Sequence, residues 1–108
     1  MKKTKMGEFE ELVLLTVLAL QEEAYGVAIK RELEDRLKDT LSVGSVQSAL
    51  KRMEEKGLLT SEWGEAEKIR GGKRKRIYQA TTHAHQVLTE MKDVRAGLWT
   101  TILQTQNI

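Results

Sequence analysis

Six of the nine residues from Lys68 to Arg76 are lysine or arginine, with Gly71 and Gly72 among them. Ile77 and Tyr78 follow directly. Cations at this density suit the neutralisation of a polyanion, because each phosphate they pair with releases condensed counterions. The glycines let a chain turn sharply and bring its backbone close to a partner. A solvated charge run is the usual reading of such a cluster, so the surrounding elements must decide. Other residue types offer less. His83 and His85 are two apart, which on a helix turns them in different directions, whereas a helical metal pair needs three or four. Glu8, Glu10, Glu11, Glu54 and Glu55 lack a histidine or serine partner pattern and read as surface and capping charge. No catalytic constellation is present, so neither an enzyme nor a metal or cofactor is expected.

The chain has 108 residues, enough for one domain with a modest core. The absence of cysteine agrees with a reducing cytosol, and a cytoplasmic location is expected. The longest apolar run, Leu12 to Leu20, is about half what a bilayer span needs. Lys2, Lys3 and Lys5 precede it as in a secretion signal. Glu8, Glu10 and Glu11 intervene and no small-residue cleavage site follows, so neither a signal nor a membrane partner is expected. Net charge is only +2, but it is segregated: five acids and no bases from Glu8 to Glu23, six bases and no acids from Lys68 to Arg76. Such separation makes a directed electrostatic surface.

The periodicity predicts the elements that carry these charges. Residues 1–7 read as a flexible basic arm. Glu8 to about Gln21 reads as a helix with one stripe of Phe9, Val13, Val17 and Leu20 and a second of Leu14, Leu15 and Leu18. Two apolar faces fit either a central core helix or one that also meets a second chain. A second helix runs from about Tyr25 to Lys38 on Ile29, Leu33 and Leu37. Ser42 is placed to cap a third helix, Val43 to Lys56, which Gly57 ends. Its inner side is Val46, Ala49, Leu50 and Met53. After Gly57 the period drops to two, and Leu59 to Trp63 reads as a strand. Arg76 to Ala80 is its return, and Thr81 or Thr82 caps a long last helix.

Helix, helix, short link, helix, strand, charged loop, strand, long helix is the winged helix-turn-helix plan. The fold expected is therefore mainly α with a small β-hairpin: a DNA-binding domain over 8–80 and a dimerisation helix and tail over 81–108. The basic cluster becomes the tip and return strand of the wing. Directly after an apparent recognition helix, a phosphate role outweighs mere solvation.

In this order, "LVLLTVLAL", "YGVAI", "ALKRMEEKGLL", "SEWGE" and "GGKRKRIYQAT" resemble the PadR family of bacterial transcription regulators, over about Gly7 to Trp99. The single C-terminal helix is similar to the smaller subfamily. The resemblance implies a transcription regulator; a homodimeric repressor on a palindromic double-stranded DNA operator is expected, since one winged helix binds a half-site weakly and two copies multiply affinity and specificity. The resemblance also implies a small hydrophobic effector in a cavity between subunits, lined by an aromatic from the last helix. That aromatic position falls nearer Arg95, and Trp99 is one turn later. Trp99 is thus a ligand candidate or a dimer-packing residue. The family's third helix opens with a Thr-Leu-Tyr-Pro-like run, where this chain has Ser45, Val46, Gln47 and Ser48.

The candidate DNA contacts are Ser45, Gln47, Ser48, Lys51 and Arg52 on the third helix, Lys73, Arg74, Lys75 and Arg76 on the wing, and Tyr25, which could touch a phosphate or sit in the core. Gln47 and Arg52 can pair with adenine and guanine edges. The dimer surface is expected to join Leu14, Leu15 and Leu18 to Val87, Met91, Val94, Leu98 and Ile102. Trp63 is expected to pack the wing strand against the body. The competing function is a protein-interaction module whose basic face docks an acidic partner.

Overall fold

The computed structural model describes residues 6–64 and 74–106, and everything below concerns those residues. Lys68, Arg70, Gly71, Gly72 and Lys73 lie outside them, as does most of the basic arm. The elements are α1 (Glu8–Leu20), α2 (Gly26–Leu37), α3 (Val43–Glu55), β1 (Leu59–Trp63), β2 (Arg76–Ala80) and α4 (Thr82–Gln106). A short 3-10 turn, Gln21–Glu23, follows α1. This is the mainly helical, hairpin-bearing architecture expected.

Each boundary has a local cause. The Gly7 N–H donates to the Glu10 carboxylate at 2.9 Å, which satisfies a donor ahead of α1. Lys38 ends α2 in the left-handed region, and the Glu34 carboxylate accepts from Leu41 N–H at 2.8 Å across the turn that follows. That backbone bond, and then Lys30, holds the Glu34 carboxyl below the usual range. Ser42 caps α3 as expected, its hydroxyl accepting from Ser45 N–H at 3.1 Å. Gly57 carries the positive φ of 74° that α3's exit requires. The Thr81 hydroxyl accepts from Ala84 N–H at the start of α4 and donates to Gly57 C=O at 2.8 Å. One side chain thus starts α4 and anchors it to the end of α3.

The strands pair antiparallel, from Leu59 opposite Ala80 to Trp63 opposite Arg76. Tyr25 adds an isolated bridge to Ile77, and Tyr78 N–H donates to Ala24 C=O at 2.8 Å. The hairpin is therefore tied to the start of α2 as well as to α3. The core runs through α1 (Val13, Leu14, Val17), α2 (Ile29, Leu33) and α3 (Val46, Leu50, Met53), closed by Leu58, Tyr78 and Leu88.

Two residues expected on a dimer surface belong to this core. Leu14 is fully buried and Val87 is only 8 % exposed. Leu14 falls one position, about 100°, from Leu15 and shares the inner face with Val13 and Val17. Val87 sits in the part of α4 that docks on the domain with Ala84 and Leu88. Leu15 stays exposed and Leu18 half-buried, while Val94, Leu98 and Ile102 are exposed beyond the half-buried Met91.

Two consecutive carboxylates, Glu10 and Glu11, are each 6 % exposed. Glu10 accepts from Arg52 Nε of α3 and from Nζ of Lys56, which follows that helix, both at 2.9 Å. Burial alone would raise its pKa, but the bonds from Gly7 N–H, Lys56 and Arg52 outweigh it and bring the value down to about 2. Glu11 takes a two-pronged pair from the Arg95 guanidinium of α4, one arm at 2.6 Å from Nη2. Replacing Glu10 with glutamine should cost about 2 kcal/mol of stability at neutral pH, because two cations lose their partner. A carboxylate whose pKa falls on folding stabilises above its unfolded value and loses that contribution as pH drops through the folded one. The gap between wild type and Glu10→Gln should therefore hold down to pH 4.5 and close toward about 2. Urea unfolding along that pH series measures it, and a pH-independent gap would exclude the ionised form as the cause.

Candidate nucleic-acid interface

Helix α3 turns Val46, Ala49, Leu50 and Met53 inward and leaves Gly44, Ser48, Lys51 and Glu55 along its outer line. Ser45, Gln47 and Arg52 are also exposed. Gln47 and Arg52 are five residues apart, about 140° around the helix, so they stand on opposite flanks of that line. Gln47 lies on the hairpin flank. Its amide approaches Gly26 so closely that a Cβ there would sit 2.8 Å from Nε2. Arg52 lies on the α1 flank, with Nε held by Glu10. The Ser45 hydroxyl donates to Ser42 C=O at 2.9 Å.

The wing residues divide in the same way. Arg76 Nε donates to the Ser61 hydroxyl at 2.7 Å, and that hydroxyl bonds the Glu54 carboxylate at 3.0 Å. Arg76 Nη2 is itself 3.7 Å from Glu54. Arg76 therefore braces the hairpin against α3 while keeping an exposed edge. Lys75 extends over the Tyr25 ring, with Nζ 4.1 Å from its centre. Tyr25, expected either at a phosphate or in the core, is half-buried: its backbone bridges to Ile77 of β2 and its ring lies under Lys75. Arg74 is exposed at the edge of the described residues.

The structure thus gathers Tyr25, Gln47, Lys75 and Arg76 around a groove of ≈ 700 Å³ between α2, α3 and the hairpin. Ser48, Lys51 and Arg52 are exposed on α3 but do not line it. Trp63 corrects an expectation: it is 60 % exposed rather than packed on the body, with the Arg76 guanidinium 5.6 Å from its ring. Arg31 of α2 also lines the groove. Val43, at the first turn of α3, is an exposed apolar residue that periodicity did not single out. A second groove, ≈ 530 Å³, lies between α1 and α4 along Glu11, Leu15, Leu18, Leu88 and Arg95. Trp99 is exposed on α4 and does not line it.

A helix-turn-helix braced by a β-hairpin, with a polar recognition helix beside a cationic wing, defines the winged-helix class. Residues 14–90 match the model of the transcriptional regulator PadR-like family, and the chain belongs to that family. Family members regulate transcription and are not enzymes. Solved structures agree over nearly the whole fold. A PadR family transcriptional regulator from Eggerthella lenta DSM 2243 is 28 % identical with a TM-score of 0.66, over 92 % of this chain and 86 % of that one. A PadR-like transcriptional regulator from Bacillus cereus strain ATCC 14579 is 24 % identical with a TM-score of 0.70, over 91 % and 90 %. A PadR-like transcription factor from Bacteroides fragilis is 22 % identical with a TM-score of 0.70, over 90 % and 88 %. No curated protein is significantly similar to the chain. No described helix is long and apolar enough to cross a membrane.

Ser61 joins the wing to α3 with one hydroxyl. Ser61→Ala should cost about 1 kcal/mol, the usual worth of such bonds. It should also speed amide exchange at Tyr78 and its strand neighbours more than at the buried start of α4. Uniform acceleration along the chain would mean that the contact does not brace the wing.

Proposed function

We propose that this chain is a homodimeric, sequence-specific DNA-binding repressor acting on a palindromic operator. The observation that carries the reading is one continuous face: the outer line of α3 beside a wing whose cations converge on the same groove. Ser48 and Lys51 suit the floor of a major groove, Gln47 an adenine edge, and Arg74 and Lys75 the flanking phosphates. Arg52 can reach a base or phosphate only with its outer guanidinium edge while Glu10 holds Nε. Repression then requires only occupancy of promoter DNA.

A dimer is favoured by what α4 leaves uncovered. Val94, Leu98, Trp99, Ile102 and Leu103 are exposed on one helix. Burying the exposed part of each yields about 1 kcal/mol, so a symmetric pair gains roughly 10 kcal/mol, of the same order as the cost of association. A stable pair therefore also needs Leu15 and Leu18 on α1, beside the second groove. Two half-sites about one DNA turn apart would then be read together. A small hydrophobic effector that entered between the α4 helices, against Trp99, would alter their spacing and relieve repression.

Titration with an inverted repeat from the DNA upstream of the gene should show a preference over random duplex of several kcal/mol. Gln47→Ala should remove about 1–3 kcal/mol of that preference at a defined position. Equal affinity for all sequences would favour the interaction-module reading instead. Leu98→Asp would bury an unpaired charge at the two-fold axis. Sedimentation should show the wild type as a dimer at micromolar concentration and this variant as a monomer. A monomeric wild type that binds its operator tightly would overturn the dimer.

A further inference from the structure

The groove beside Gln47 contains a feature that base reading and wing charge leave unexplained. Trp63 ends β1, and Leu59, Ser61 and Trp63 share one face of the strand. Leu59 covers the core at 2 % exposure, and Ser61 reaches Glu54 on α3. Trp63, two residues further on, overshoots the body and stands 60 % exposed. An indole in that position gains little for the monomer. Its ring lies beside the Arg76 guanidinium, and Arg31 and Lys75 line the same groove. No carboxylate is among the lining residues.

The fitting partner has apolar edges and anionic groups alternating along its length. A nucleic-acid strand has this character, with deoxyribose C–H edges between phosphates about every 3.4 Å of axis. A small anion would use the cations and leave the indole idle. We propose that the groove seats one sugar–phosphate strand of duplex DNA, with the Trp63 indole against a deoxyribose and Arg31 and Lys75 on the phosphates to either side. This rests on the DNA-binding reading above and adds an uncharged contact to it. Lys75 over the Tyr25 ring is held at the groove mouth before DNA arrives. Tyr25 lines the same groove as Trp63.

The chain has two tryptophans, so Trp99→Phe leaves Trp63 as the only indole. Its quenching by neutral acrylamide should fall several-fold when the protein is saturated with duplex, for selected and random sequences alike. Trp63→Ala should weaken both by roughly tenfold, about what one desolvated side chain is worth, without changing the slope of affinity against salt. Arg31→Ala and Lys75→Ala should each make that slope shallower by about one unit. A saturated complex in which Trp63 is as accessible as in the free protein would overturn the assignment, and it would do so with DNA binding intact. Equal protection by inorganic phosphate would make the groove a small-anion site, and stronger protection by polyglutamate would make it a peptide site; either overturns the strand. Failure of the Trp99→Phe and wild-type proteins to bind any duplex would remove the DNA-binding reading itself.

Discussion

Two carboxylates on consecutive residues of α1 are withdrawn from water, and a buried charge is tolerated only when it is paired. Glu10 turns toward α3 and Glu11 toward α4, as the 100° step between neighbours on a helix requires. Glu10 takes both Arg52 and Lys56, and Glu11 takes Arg95. The apolar core determines that these helices pack. The carboxylates restrict the orientation in which they do so, because sliding either helix would strand a charge. No buried side-chain nitrogen or oxygen among the described residues lacks a partner.

The hairpin is positioned in turn by α3. Glu54, Ser61 and Arg76 link the end of that helix to both strands, while Tyr25 and Ala24 link β2 to the start of α2. The wing base is therefore held from two sides, and Gln47, Lys75 and Trp63 meet at a groove whose walls belong to three elements. Thr81 adds a similar constraint at the root of α4. Arg95 ties α4 to Glu11, one residue from the carboxylate that holds α3.

The elements were legible in the sequence because their signals are local. Ser42 and Gly57 bound α3 by capping chemistry, and the change of period after Gly57 marked β1. Which face of α1 meets which neighbour was not local. Leu14 and Leu15 have the same side chain, and only three-dimensional packing decides that the first is buried and the second exposed. Glu10 and Glu11 read as surface and capping charge, Arg52 as a DNA contact and Arg95 only as the place of a family aromatic, because their pairings cross 42 to 84 positions. Trp63 misled for a related reason: tryptophan is apolar enough to suggest burial, yet strand length carries it past the body.

The cations of this surface fall into two kinds, and the division bears on how such a face binds. Arg52 and Arg76 already have carboxylate partners, at Glu10 and Glu54. A cation already paired with a carboxylate neutralises less of a phosphate's charge, so it displaces fewer of the counterions condensed on DNA and adds little to the salt-dependent gain in phosphate binding. It contributes geometry instead, because its planar fork is fixed before a ligand arrives. Arg74 is exposed. Flexible and hydrated, cations of this kind supply attraction to any duplex rather than discrimination among sequences. With a net charge of only +2, the chain relies on where its cations stand more than on their number. In the proposed regulator, sequence preference would then rest on groups placed before DNA arrives, and Gln47, whose amide lies close against Gly26, is one candidate.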